Sequence, residues 1–154
     1  MERGPIDAEL EARLGEPLET YGFAMPVGGW TPSAFGSLVR AFKQRGSGAI
    51  KLGQFNVVAL TRTRVVCFAA AFERKRGLWP GDQLADWPRP DVEGSATREE
   101  STTATMYADG DVGANNTAKL VRLTLRAGTQ ELQADFSDDE RTAALLAALA
   151  VEPV

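Results

Sequence analysis

Before residue 50 the apolar positions recur every three or four residues; after it they recur mainly every second residue. Ile6, Leu10 and Leu14 stand at i, i+4 and i+8, with Asp7, Glu9 and Glu11 among them and Gly15 just beyond. This predicts a short amphipathic helix with an acidic start and a glycine stop. Tyr21 to Gly29 reads as a Gly/Pro-rich connector. Thr31 and Pro32 then supply an N-cap and a first-turn proline for a second helix. Its stripe is Phe35, Leu38, Val39 and Phe42, and Arg40, Lys43 and Arg45 fall in or near its last turn. Phe55 to Thr61 and Val65 to Phe72, rich in branched and aromatic residues, predict two tightly joined strands. Pro80 with Gly81 predicts a turn, and short strands at Gln83 to Trp87 and Asp91 to Ser95 are separated by Pro88 and Pro90. The polar stretch 97–118 reads as loop around a candidate strand at Thr102 to Tyr107.

The last forty residues carry the sharpest pattern. Val121, Leu123 and Leu125 alternate with Arg122, Thr124 and Arg126; past Ala127 and Gly128, Leu132, Ala134 and Phe136 alternate with Gln133 and Asp135. A turn at Ala127 and Gly128 would set Leu123 opposite Leu132 and Val121 opposite Ala134, so the apolar faces coincide as a one-faced antiparallel hairpin requires. Ser137 and Glu140 form a capping box for a final helix over 138–150, with Thr142, Leu145, Leu146 and Leu149 on its inner stripe. Leu123, Leu125, Leu132, Phe136, Leu145 and Leu149 are expected to be buried.

Composition narrows the chemistry. At 154 residues, 44% of them apolar, the chain can bury the core of one domain without disulfides or a structural metal. It has no histidine, which removes the commonest zinc ligand and the usual general base, so an enzyme is not expected, nor a metal or cofactor. Asp109, Asp111 and Asn115 fail the spacing of a calcium loop. Cys67, inside an apolar strand, reads as a buried and inert thiol. No apolar run approaches 18 residues and Met1 to Pro5 leads into none, so neither a membrane span nor a signal peptide is expected. The expected location is the cytoplasm, with peripheral attachment at the inner membrane surface left open.

Charge is unevenly placed. Between Arg40 and Arg76 nine basic residues meet one acid, Glu73, although the whole chain is −4. Such a segment fits an anionic partner, or else scattered solvation.

Three stretches together carry a resemblance. Leu60 to Val66 (L-T-R-T-R-V-V) is similar to the L-T-x-x-R-aliphatic turn of bacterial pleckstrin-homology-like (PH-like or GRAM-like) domains. Pro80 to Trp87 looks like the following loop and third strand, and Leu120 to Leu149 follows the same closing order of strand, strand and helix. The resemblance spans 54–150 and implies an α+β fold: an antiparallel β-barrel or bent sheet capped by a C-terminal helix. The N-terminal helices and the polar stretch 97–118 depart from it. It divides the chain into a helical extension, 1–49, and a barrel domain, 50–154, packed together as one unit.

The resemblance further implies a non-enzymatic binding or interaction module whose partner is a protein or an anionic lipid surface. The alternative is a nucleic-acid-associated protein using the basic segment 40–76, which the acidic pI disfavours. Arg62 and Arg64 match the family's turn and form the expected centre of an anion site, with Arg40, Lys43 and Arg45 as its rim; the alternative for Arg64 is that it only ties the turn to the barrel. Trp79 and Trp87, beside Pro80 and Pro88, form either an exposed ledge for a partner or a cover over one end of the barrel.

Overall fold

A computed structural model describes residues 4–27, 49–102 and 117–154. In chain order these form helix α1 (Pro5–Leu14) and strands β1 (Leu18–Pro26), β2 (Phe55–Thr61), β3 (Arg64–Glu73) and β4 (Gly77–Pro88). A 3-10 turn (Arg89–Asp91) leads to β5 (Val92–Thr102), β6 (Thr117–Ala127), β7 (Gln130–Ser137) and helix α2 (Glu140–Ala148). The helix expected between Thr31 and Arg45, with Arg40, Lys43 and Arg45, lies outside the described residues.

All seven strands belong to one sheet in the order β4-β3-β2-β1-β7-β6-β5, and every ladder in it is antiparallel. Among the described residues no ladder joins β4 to β5, so the sheet is open and the expected barrel is not closed. One face of it still curls around a single core. Ala24 of β1, Val58 and Leu60 of β2, Cys67 of β3, Trp87 of β4, Ala96 of β5, Leu123 of β6 and Phe136 of β7 share one apolar cluster with Leu145 and Leu146 of α2. On the opposite face Leu10 and Leu14 of α1 pack against Tyr21, Val57, Ala59, Val66 and Phe68. β2 is therefore covered on both sides, which is why its sequence is a nearly unbroken apolar run.

The segment read as a connector is the strand at the centre of the sheet. β1 pairs with β2 through Phe23 and Val57 and with β7 through Ala24 and Phe136. Gly22 suggested a loop, but it has a packing role: a Cβ there would lie 3.0 Å from Leu145 Cδ2 and 3.1 Å from Phe136 Cε2. The missing side chain lets α2 approach the sheet.

Four smaller expectations are also corrected. Pro80 and Gly81 make no turn; they sit inside β4, where Ala70 faces Pro80 but Phe68 faces Gln83, so one extra residue bulges out of the ladder. Residues 97–102 continue β5, with Arg98 opposite Val121. The final hairpin turns at Gly128 and Thr129, one residue later than read, because Gly128 supplies the positive φ of 61° that a two-residue hairpin loop needs. Leu123 thus faces Ala134 and Leu125 faces Leu132; the slip is even, so the buried face is unchanged. Finally, Asp139 rather than Ser137 caps α2, accepting from the Thr142 backbone N–H at 2.9 Å. Leu149 is then the C-cap and only half-buried, while Leu145 and Leu146 are buried.

Candidate functional site

The two basic turns of the segment 40–76 lie at opposite ends of β3. Ten residues of strand at about 3.3 Å each separate them by roughly 30 Å.

At one end is the β2–β3 turn. Thr61 Oγ1 accepts from the backbone N–H groups of Thr63 and Arg64, which sets the turn and aims Arg64 back along the sheet. The Arg64 guanidinium donates to Asp86 Oδ2 at 2.7 Å and to the carbonyl of Leu14, the last residue of α1; its Nε lies 3.9 Å from Glu16. Hydrogen bonds to Thr61 and Thr63, with the Arg64 charge beyond them, hold the Glu16 carboxyl below its ordinary pKa. Two carboxylates therefore already offset Arg64, which ties a helix end to two strands. Arg62 is exposed and has no acidic partner among the described residues.

The β3–β4 turn at the other end is different. Arg74, Lys75 and Arg76 are all exposed. Arg76 donates from Nε and Nη2 to the two carboxylate oxygens of Glu73 and lies 4.1 Å above the Trp79 ring. Arg74 and Lys75 have no acidic partner among the described residues. Beside them Phe72 is 68% exposed, its ring edge-on to Phe55 with centroids 5.0 Å apart. A large apolar ring in water next to unpaired cations is what a polar solvent does not explain. The run F-E-R-K-R-G was readable as a basic turn, but nothing in it says which face Phe72 takes.

Trp79 and Trp87 do not make the exposed ledge. Both are buried, and the Trp87 indole N–H donates to Gln130 Oε1 at 2.7 Å.

Two grooves flank α2, whose outward residues are mostly alanine. One, of about 590 Å³, lies over β1 between α1 and α2, with Arg141 stacked 4.1 Å above the Tyr21 ring and Asp7 at its edge. Burial raises the Tyr21 phenol above its usual range. The other, of about 450 Å³, lies between α2, Arg98 of β5 and residues 151–153. Comparison with family models, with curated proteins and with solved structures finds no match. The chemistry of the chain must be judged from these side chains alone.

Cys67 is buried, and loss of solvent pushes its thiol up to about 12. Asp86, Glu19, Glu131 and Asp135 each answer an arginine. Among the described residues no three metal-ligating side chains converge.

Three arginines do structural work, and only for Arg64 did the sequence signal it. Arg13 donates to the carbonyls of Pro80 and Gly81 in the β4 bulge, locking α1 onto the sheet. Arg64 holds the end of α1, as described above. Arg89 donates to Glu19, to the Thr61 carbonyl and to Ala148, the last residue of α2. No short motif marks the long-range contacts of Arg13 and Arg89.

Proposed function

We propose that the chain is a non-enzymatic interaction module of the pleckstrin-homology-like kind, and that it meets anionic lipid surfaces through the β3–β4 turn. The observation that carries this reading is exposed Phe72 beside Arg74 and Lys75, which have no acidic partner among the described residues. An apolar ring that enters the interface and cations that meet headgroups reinforce one another. The succession of antiparallel strands followed by a helix against β1 supports the architectural half of the reading. No described helix is long and apolar enough to cross a membrane; the attachment proposed is peripheral.

This reading moves the proposed anion site from Arg62 and Arg64 to the other end of β3. Sedimentation with vesicles containing phosphatidylserine, against vesicles of phosphatidylcholine alone, tests it. Binding is expected only to the first, weakening as salt rises. At about 1 kcal/mol per cation, changing Arg74 and Lys75 together to alanine should cost roughly thirty-fold. Phe72→Ser should weaken binding, and Arg62→Ala should leave it unchanged. No binding by the parent chain, or equal loss with Arg62→Ala, would reject this surface; tighter, steeply salt-dependent binding to duplex DNA would favour the nucleic-acid reading.

A further inference from the structure

Past α2 the chain turns back and lies on the outer edge of β5. Val154 N–H donates to the Ala96 carbonyl at 3.0 Å, and Arg98 N–H donates to the Val154 carbonyl at 3.1 Å. Pro153 makes an isolated parallel bridge with Ala96, so residues 151–154 run alongside β5. The edge is shaped for it. A Cβ on Gly94 would stand 2.8 Å from Val151 Cγ2, so the glycine leaves the notch that Val151 fills. The hinge is strained: Ala150 has φ 57°, the one positive value at a non-glycine residue among those described.

We propose that residues 151–154 are an exchangeable strand, and that two copies of this chain trade them, each tail seated on the other copy's β5 in a closed two-fold dimer. The seat already takes this tail through Val151 in the Gly94 notch and through the two backbone bonds of Val154, so the same tail from a second copy would make the same contacts there. Exchange recreates the same contacts twice per dimer and loses none. The balance is then set by two terms: freedom lost on association, which concentration offsets, and the left-handed strain at Ala150, which an extended hinge releases.

The hinge and the seat can be altered separately. Light scattering after size exclusion, from micromolar to millimolar protein, should show a dimer that grows with concentration. Ala150→Gly, which removes the strain of the folded-back hinge, should lower the dimer fraction several-fold. Ala150→Val, at an exposed position where a branched residue resists positive φ, should raise it several-fold. Adding Gly94→Val to Ala150→Val should return the monomer, since the notch is filled for either tail. Cysteines at Ala96 and Pro153, which are bridge partners, should trap the exchange as covalent dimers on a non-reducing gel; Cys67 is too buried to interfere.

A monomer at every concentration, in the parent and in Ala150→Val, would overturn the proposal. So would cross-linked chains that all migrate as monomers. A monomeric chain that instead captures a synthetic Val-Glu-Pro-Val peptide would show a seat for foreign strands and equally overturn exchange between copies. Should the cysteine pair fail to fold, the Ala150 variants decide alone.

Discussion

Cys67 illustrates what one residue's neighbours can reveal. Flanked by Val66 and Phe68 on a strand covered on both faces, it had no route to solvent, and its burial was legible from the run of branched and aromatic residues alone. Iodoacetamide should therefore leave the native thiol unmodified and label it only after denaturation. The thiol also makes a pH argument. Its folded pKa, about 12, lies above the ordinary 9, so the unfolded chain releases this proton first and stability falls as pH climbs through that window. Cys67→Ala should shallow the alkaline limb of a denaturation series by one proton. Leucines near the end of α2 were only partly legible. The stripe through Thr142, Leu145, Leu146 and Leu149 was correct in period, yet the helix closes at Ala148 and its last leucine is the cap. Leu145→Ala should cost ~2 to 5 kcal/mol in urea unfolding, since Leu145 is fully buried against Gly22. Leu149→Ala should cost clearly less.

For whole elements, legibility depended on whether the forces shaping them were local. α1, β2, β3 and β7 follow from period and turn residues, and the structure places them within a residue or two of expectation, whereas β6 starts at Thr117, four residues before the alternation at Val121. β1 could not be read this way: Gly22 and Pro26 speak against a strand locally, while the close approach of Leu145 and Phe136 that requires Gly22 comes from the far end of the chain. The Arg13 and Arg89 contacts were hidden for the same reason. Arg89 donates to a carbonyl at the end of α2, to the Thr61 carbonyl and to Glu19, so Arg89→Met should cost about 1 to 3 kcal/mol, measured by urea unfolding. Glu16, its pKa lowered in the fold, stabilises α1 against the β2–β3 turn above the ordinary carboxylate range. That contribution is lost as pH falls through its folded value, so Glu16→Gln should flatten the acid limb of a stability profile.

Across the whole molecule, α+β character and the closing order of strand, strand and helix were legible, but the distribution of charge was not. Among the described residues the basic run is cut in two by the length of β3, and only its far turn leaves cations without an acidic partner beside an exposed ring. Of the site residues read from sequence, Arg62 stands exposed on the β2–β3 turn, while Arg64 is engaged by Asp86 and Leu14. The central place of β1 has a further consequence, for the chain as it is being made. β1 to β4 can form a meander as soon as residue 88 has emerged from the ribosome, but the second partner of β1 is β7, residues 130–137. Until those are synthesised, at some 5 to 20 residues per second, the outer edge of β1 offers its unpaired backbone groups to any neighbouring nascent chain. A pause in translation after β4 should therefore increase aggregation of the newly made protein, whereas a pause after residue 137 should not.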